Sequence, residues 1–186
     1  MFRRRAVFLD RDGTLTKAVY RPSFAKKTTC PYTLHELEFV PDADEVLAEL
    51  KQRRFLRIMA TNQPDVALGY MYEHVWVAIQ RLAELTLNLD QIKMCRHTTE
   101  QNCNRKKPLP GMLFDARDDL GIDLAESFMI GDTDADIGAG KAAGCTTILI
   151  TSGKHNVINW KEDYPKPFLK PDYQVDKLAD ILKIVR

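Results

Sequence analysis

The stretch that decides the fold reads Val7-Phe8-Leu9-Asp10-Arg11-Asp12-Gly13-Thr14. Its apolar first half predicts a short buried strand, and two carboxylates two residues apart follow directly. Alternate residues of an extended chain point to the same side, so we expect Asp10 and Asp12 to meet at one edge of a sheet, where Gly13 permits a sharp turn. Two neighbouring carboxylates repel each other, and a hard cation bound by their oxygens would relieve that repulsion. The stretch therefore predicts a reactive site at a strand end, although a plain strand followed by an Asp-Gly turn has the same pattern.

Short apolar runs alternate with amphipathic stretches along the rest of the chain. The apolar runs lie at 6–9, 57–60, 91–94, 128–130 and 146–150, and the amphipathic stretches at 43–52, 73–85, 111–120 and 134–143. This alternation predicts an α/β layer fold with a mostly parallel sheet. Right-handed crossovers bring the carboxyl ends of parallel strands to one edge, where open sheets bind ligands. Asp10, Thr61 and Asp132 each follow or end a predicted strand, so we expect them to converge at that edge.

The composition is that of one globular domain. The chain has 186 residues, of which 45% are hydrophobic, and a formal net charge of +1. This length and apolar content suffice for a single core, so residues 1–186 are predicted to form one domain. The charge gives no argument for a nucleic-acid or membrane partner, and no apolar stretch has transmembrane length. We therefore expect a cytoplasmic protein, since the apolar run after the N-terminal arginines is also too short for a signal peptide.

Two segments interrupt the alternation of strands and helices. Residues 17–37, which include Lys26 and Lys27, directly follow the carboxylate strand and are predicted to form a flap loop over the site. Residues 95–110 form a polar loop that contains two of the four cysteines. No long cap domain fits between Asp12 and Thr61, or between Thr61 and Lys107, once the helices and loops are counted, so the site is expected to be open.

Polar residues near the other strand ends suggest phosphate chemistry. Thr61 and Asn62 offer a hydroxyl and backbone amides suited to phosphate oxygens, and Lys107 offers positive charge to a phosphoryl group. One or both of Asp132 and Asp136 would complete a Mg²⁺ site with the Asp10 carboxylate and the backbone carbonyl of Asp12. Each group also has a plainer interpretation, namely a polar turn, a solvated lysine pair and acidic residues that favour a helix N-terminus.

Taken in order, these clusters resemble the motifs of the haloacid dehalogenase superfamily of phosphotransferases. Those motifs are D-x-D-G-T, a Thr or Ser after the second strand, a Lys, and an acidic G-D-x-x-x-D, and they begin here at Asp10, Thr61, Lys107 and Gly131. The resemblance spans nearly the whole chain and is strongest to the capless branch, which contains heptose bisphosphate phosphatases and histidinol phosphatases. It implies a three-layer Rossmann-like fold with no large cap domain, and a Mg²⁺-dependent phosphatase.

The resemblance implies a role for each matching position. Asp10 would attack phosphorus to give an aspartyl phosphate, while Asp12 would protonate the leaving oxygen and then activate water. Thr61 and Lys107 would neutralise charge on the transferring phosphoryl group. The metal ligands would be Asp10, Asp12 and Asp132, with Asp136 in an outer position, and the substrate-binding residues would be Asn62, Gln63 and Lys106. Lys106 stands where the heptose enzymes usually carry an arginine.

The cysteine loop resembles the zinc loop of the same branch. Cys95, His97 and Cys103 match three of its four ligands, but Arg105 stands at the fourth position. Structural zinc sites are almost always closed by four protein ligands. Two interpretations therefore stay open: a structural zinc ion, or a loop that no longer binds one.

The substrate expected from the resemblance is a small sugar phosphate, first of all D-glycero-D-manno-heptose 1,7-bisphosphate cleaved at its 7-phosphate. Histidinol phosphate is the alternative within the branch, and a nucleic-acid 3′-phosphate is the third, for which the chain lacks a basic or aromatic track. A different class is a phosphate-binding protein on a retired phosphatase fold. The presence of both Asp10 and Asp12 argues against that class. We expect a monomer or weak dimer.

Overall fold

The computed structural model describes residues 4–24, 28–152 and 170–186. The strands are β1 (Arg5–Leu9), β2 (Val19–Tyr20), β3 (Thr28–Thr29), β4 (Phe55–Asn62), β5 (Gln91–Cys95), β6 (Phe128–Gly131), β7 (Thr146–Ile150) and β8 (Tyr173–Val175). The α-helices are α1 (Ala43–Gln52), α2 (Glu73–Thr86), α3 (Gly111–Leu120) and α4 (Asp134–Ala143). A 3₁₀ helix at Leu178–Lys183 closes the chain.

The central sheet is parallel and has the strand order β5-β4-β1-β6-β7-β8. Strand β1 lies in its middle, where Phe8 is in register with Ile58 of β4 on one side and Met129 of β6 on the other. Residues 6–9 are completely buried, as expected for a central parallel strand covered on both faces. The predicted α/β fold with a parallel sheet is confirmed.

Helices cover both faces of the sheet. Side chains of β1 alternate between the faces, so that Val7 and Leu9 join one hydrophobic cluster and Ala6 and Phe8 join the other. Apolar residues of α1 and α2 and of the C-terminal 3₁₀ helix complete the first cluster, and residues of α3 and α4 complete the second. The two clusters make the three-layer arrangement that the motifs imply. Within the described ranges, none of the helices has the length and apolar character needed to cross a membrane.

The segment between β1 and α1 contains two very short strands that pair with each other. Strands β2 and β3 pair antiparallel, and a 3₁₀ turn follows at Leu34–Glu36. In the described part of this segment there is no inserted domain, in agreement with the predicted capless fold. Lys26 and Lys27 of the predicted flap loop lie outside the described residues.

Helix α4 packs very closely against the sheet through a glycine. A Cβ atom at Gly140 would lie 2.6 Å from both Met129 Cβ and Thr147 Cγ2. These atoms are fixed to the backbones of β6 and β7, so a side chain here would push the helix away. Gly140 thereby holds the helix whose first turn carries the acidic motif close to the sheet.

Candidate active site

The predicted polar clusters meet at the carboxyl edge of the sheet. Asp10 follows β1, and its backbone N–H donates to Ile130 O of β6 at 3.0 Å. Thr61 is the penultimate residue of the neighbouring strand β4, and Asp132 follows β6. The site residues that are buried are Asp10, Asp12, Thr61, Gln63, Lys107, Asp132 and Asp136. Parallel strand pairing therefore brings together residues that are far apart in the chain.

Three carboxylates form a compact group at this edge. Asp10, Asp132 and Asp136 are all buried, and each offers an oxygen within 4.8 Å of the others. Burial raises the pKa of Asp10 to about 7, the positive charge of Lys107 opposes this rise, and the charges of Asp136, Asp132 and Asp12 add to it. So much negative charge in a buried site disfavours ionisation unless cations balance it. The donor set consists of oxygens alone, which is the set that Mg²⁺ prefers.

Lys107 supplies the protein's own balancing charge. Its Nζ donates to Asp10 Oδ1 at 2.6 Å, to Asp136 Oδ1 at 2.5 Å and to Ala60 O at 2.7 Å. The charges of Asp10 and Asp136 outweigh burial and raise the pKa of Lys107 above its usual value, so the amine stays protonated. Asn62 fixes the lysine from behind, because its Nδ2 donates to Lys107 O and its Oδ1 accepts from Lys107 N, both at 3.0 Å. The side chain of Asn62 is thus occupied in positioning Lys107, and its predicted contact with substrate stays a prediction.

Asp136 serves both the helix and the site. Its Oδ2 accepts from Thr133 N at 3.0 Å and Thr133 Oγ1 at 2.5 Å, which forms a capping box at the start of α4. Its Oδ1 meanwhile accepts from Lys107. A Cβ atom at Gly131 would lie 2.2 Å from Asp136 Cγ, so only glycine leaves room for this carboxylate. Asp136 thus caps the start of helix α4 with one carboxylate oxygen and contacts the site lysine with the other.

Asp12 is held by a network of donors. Thr16 Oγ1 donates to its Oδ1 at 3.1 Å, and Gln63 Nε2 donates to its Oδ2 at 2.7 Å. The Nε of Arg11 lies 3.1 Å from both of its oxygens. Gln63 Nε2 also lies 3.0 Å from Thr61 Oγ1, so Gln63 connects Thr61 of β4 to Asp12. Like Asn62, Gln63 contacts a neighbouring site residue, and its predicted contact with substrate stays untested.

The cysteine loop brings three predicted zinc ligands together. The ligand atoms of Cys95, His97 and Cys103 lie within 4.8 Å of one another, with Cys95 Sγ 3.6 Å from His97 Nδ1. Arg105, at the position of the fourth ligand, instead forms an ion pair with Asp115 of α3 at 2.9 Å. In residues 4–24, 28–152 and 170–186, the set of metal-ligating side chains here contains these three members. Three ligands are one fewer than the four that close a structural zinc site.

Part of the predicted flap loop packs on the loop after β4. Tyr32 Oη donates to Asp65 Oδ1 at 3.1 Å, and Arg21 Nη2 pairs with Glu36 Oε2 at 2.6 Å. Cys30 from the same segment joins a small hydrophobic cluster that includes Trp76 of α2. These contacts fix the described part of the segment beside the loop that follows Thr61.

The chain is similar to known proteins over nearly its whole length. Residues 104–181 match a family model described as HAD-hydrolase-like. D-glycero-β-D-manno-heptose-1,7-bisphosphate 7-phosphatase of Pasteurella multocida (strain Pm70) is 32% identical to this chain, and the match covers 98% of this chain and 97% of that protein. The protein of the same name from Escherichia coli (strain K12) is 30% identical, and the match covers 97% of this chain and 93% of that protein. The chain belongs to the heptose bisphosphate phosphatase branch of the haloacid dehalogenase superfamily. A crystal structure of D,D-heptose 1,7-bisphosphate phosphatase from B. bronchiseptica, complexed with magnesium and phosphate, matches with a TM-score of 0.77 at 27% identity and covers 97% of both chains.

Family membership confirms the resemblance seen in the motifs and the capless Rossmann-like fold. It also confirms that the chain is a phosphatase by family, and the structure that holds magnesium and phosphate supports magnesium as the family's metal. The sequence did not identify Arg11 and Gln80 in the network around Asp12, or Asp65 as the partner of Tyr32. For Arg11 a signal was available, since a cation between two carboxylates of a motif suggests a partner for one of them.

Replacing Lys107 with Met is expected to leave the Asp10 and Asp136 carboxylates buried without their cation. We expect a loss of about 3–5 kcal/mol in the free energy of unfolding at pH 8, the usual result of removing one partner of a buried ion pair. The loss should shrink towards pH 5, because removal of the Lys107 charge raises the pKa of Asp10 above its wild-type value of about 7, and protonation of Asp10 then removes the uncompensated charge. Urea unfolding in a chelating buffer measures both values. Lys106→Met is the matched control and should cost less than about 1 kcal/mol; equal losses in the two variants would contradict the assignment.

Proposed function

We propose that this protein is a Mg²⁺-dependent phosphomonoester hydrolase that acts on a heptose 1,7-bisphosphate at its 7-phosphate, through an aspartyl phosphate on Asp10. The observation that carries the proposal is the buried Asp10 carboxylate, bound to the Lys107 ammonium beside further carboxylates at the sheet edge. Likeness to heptose bisphosphate phosphatases over nearly the full chain supports the choice of substrate.

In the first half of the reaction, an Asp10 oxygen forms a bond to phosphorus as the bond from phosphorus to the sugar oxygen breaks. Asp12, in its acid form, gives its proton to that leaving oxygen. Lys107 and the Thr61 hydroxyl stabilise the charge on the phosphoryl oxygens. In the second half, Asp12 takes a proton from water, the water oxygen attacks phosphorus, and the Asp10 carboxylate is released together with inorganic phosphate.

The residues that would hold the metal are Asp10, Asp132 and the backbone carbonyl of Asp12. Mg²⁺ would supply positive charge to the phosphoryl oxygens and lower the cost of ionising Asp10. Both oxygens of Asp136 already accept hydrogen bonds from Lys107 and Thr133. We therefore assign Asp136 an outer role, in which it orients Lys107.

Asp132 and its neighbour Asp134 give a matched test of the metal site. Asp132→Asn is expected to weaken Mg²⁺ binding by more than about tenfold, because even groups that only support a metal ligand are worth about 10–100-fold in affinity. Asp134→Asn removes the same charge from the partly exposed first turn of α4 and should leave the affinity within about twofold. Calorimetric titration with MgCl₂ alone measures both affinities. Equal loss of Mg²⁺ affinity in the two variants would contradict the assignment of Asp132 as a metal ligand, because it would show that only the net charge matters.

We assign substrate selectivity to the two segments beside the site, the flap loop at 17–37 and the cysteine loop at 95–110, within one domain of residues 1–186. Contacts of Tyr32 with Asp65 support a fixed position for the described part of the flap loop. Lys106 extends from the cysteine loop, and its Nζ donates to His97 O at 2.9 Å. A lysine keeps the positive charge of the arginine usual at this position but lacks its bidentate fork.

Phosphate release across a panel of substrates tests the function. The panel contains both anomers of heptose 1,7-bisphosphate, histidinol phosphate, other sugar phosphates and a 3′-phosphorylated oligonucleotide, all with Mg²⁺. We expect the highest kcat/KM for the β-anomer of the heptose bisphosphate, and no turnover by Asp10→Asn. A higher kcat/KM for another compound of the panel would show that the proposed substrate is wrong. No release from any compound by folded, metal-loaded protein would favour the binding-protein interpretation.

For the cysteine loop we propose a structural zinc ion held by Cys95, His97 and Cys103, with water as the fourth ligand. The support is the convergence of these three ligand atoms within 4.8 Å. The ion would order the loop and take no part in the reaction. Elemental analysis of protein purified without chelator should find about one zinc per chain, and Cys103→Ser should lose it, whereas Cys145→Ser, a buried cysteine outside the loop, should keep it. Zinc-free wild-type protein would instead indicate a loop that has lost its metal.

A further inference from the structure

The largest fully buried side chain in the described part of the chain is the arginine between the two motif aspartates. Arg11 is 0% exposed, which is rare for arginine because burying its charge is costly unless every donor finds a partner. The site chemistry described above gives Arg11 no contact with the phosphoryl group. Its burial therefore calls for another explanation.

The guanidinium group of Arg11 is bound by three side chains. Its Nε lies 3.1 Å from both oxygens of Asp12, and its Nη2 lies 3.0 Å from Asp12 Oδ2. Nη2 also donates to Gln63 Oε1 at 2.5 Å, and Nη1 donates to Gln80 Oε1 at 3.4 Å. Gln63 in turn donates from Nε2 to Asp12 Oδ2 at 2.7 Å, so Arg11, Gln63 and Asp12 all contact one another.

This arrangement fixes Asp12 in one orientation. Thr16 and Gln63 hold one carboxylate oxygen each, and Arg11 contacts both. Gln80 is itself buried on α2, so the arginine is held from the opposite side by a helix that carries none of the motifs. Charge-assisted hydrogen bonds of this kind are stronger and more directional than neutral ones.

We propose that Arg11 is a positioning residue that acts through Asp12. This inference rests on the proposed function. When Asp12 gives its proton to the leaving sugar oxygen, a carboxylate charge is left on Asp12, and the adjacent guanidinium compensates it without giving up a proton of its own. The fixed orientation also keeps the proton within reach of that oxygen, where an error of about 1 Å can cost about 10²-fold in rate.

The dependence of the rate on the leaving group distinguishes this role from a structural one. An alkyl phosphate leaves as a strongly basic alkoxide and needs the acid, whereas p-nitrophenyl phosphate leaves as a stabilised phenolate and needs it little. Arg11→Met should therefore lower kcat/KM for the sugar phosphate about 10–100-fold more than for p-nitrophenyl phosphate. Arg11→Lys, which keeps the charge, should recover part of the difference. The parameter kcat/KM isolates the step in which Asp12 acts as an acid, because it ends with phosphorylation of Asp10.

Coupling to Asp12 gives an independent readout. Asp12→Asn alone should reduce turnover of the sugar phosphate by about 10²–10⁴-fold. Added to that variant, Arg11→Met should cost less than about threefold more, because residues that act as a unit are not additive. Gln80→Leu, which leaves the motif intact, should change the substrate ratio in the same direction by a smaller factor, and it tests the proposal even if Arg11→Met does not fold.

The matched control is Arg57, a second buried arginine, which lies in β4 and pairs with Asp90 at 2.9 Å. Arg57→Met should leave the ratio of the two substrates unchanged. Equal losses on both substrates in Arg11→Met and Gln80→Leu, or additive losses with Asp12→Asn, would overturn the role of Arg11. Wild-type protein inactive on both substrates would overturn the proposed function itself, so the two failures are distinguishable.

Discussion

The structure of the site depends on one buried ammonium group. Lys107 joins Asp10, at the end of β1, to Asp136, in the first turn of α4, and reaches the carbonyl of Ala60 in β4. Three elements thus share one cation at the edge of the sheet. Without it, the buried carboxylates would repel one another and favour the protonated form, which is a poor nucleophile. The reciprocal hydrogen bonds between Asn62 and the backbone of Lys107 fix this cation relative to the sheet.

A second buried cation, Arg11, pairs with Asp12, the other aspartate of the D-x-D motif. Lys107 contacts Asp10 and Arg11 contacts Asp12, so each carboxylate of the D-x-D pair has its own buried positive partner. The two partners differ in geometry. The ammonium group is a compact charge shared among three acceptors, whereas the guanidinium fork is held by glutamines on two sides. The two carboxylates therefore have different electrostatic surroundings, which fits the different roles that we propose for them.

The surroundings of the site distinguish this chain from the family pattern. Asp65, in the loop after β4, accepts a hydrogen bond from Tyr32 of the flap loop. Arg105 stands where a fourth zinc ligand is usual, and it pairs with Asp115 instead. Arg105 lies in the cysteine loop and Asp65 contacts the flap loop, the two segments to which we assign selectivity. The residues of the four motifs are all present.

Local pattern in the sequence was enough to predict the parallel α/β fold and the convergence of three polar clusters, around Asp10, Thr61 and Asp132, at one sheet edge. This follows because strand burial, helix periodicity and the short spacing of Asp10 and Asp12 are properties of neighbouring residues. The partners within the site were decided by the tertiary structure alone. Arg11 meets Gln80 across 69 positions and Lys107 meets Asp10 across 97, and such pairs depend on which strands are neighbours and how deeply each side chain is buried. For the same reason, the sequence did not indicate that the amides of Asn62 and Gln63, whose expected substrate contacts stay predictions, contact Lys107 and Asp12.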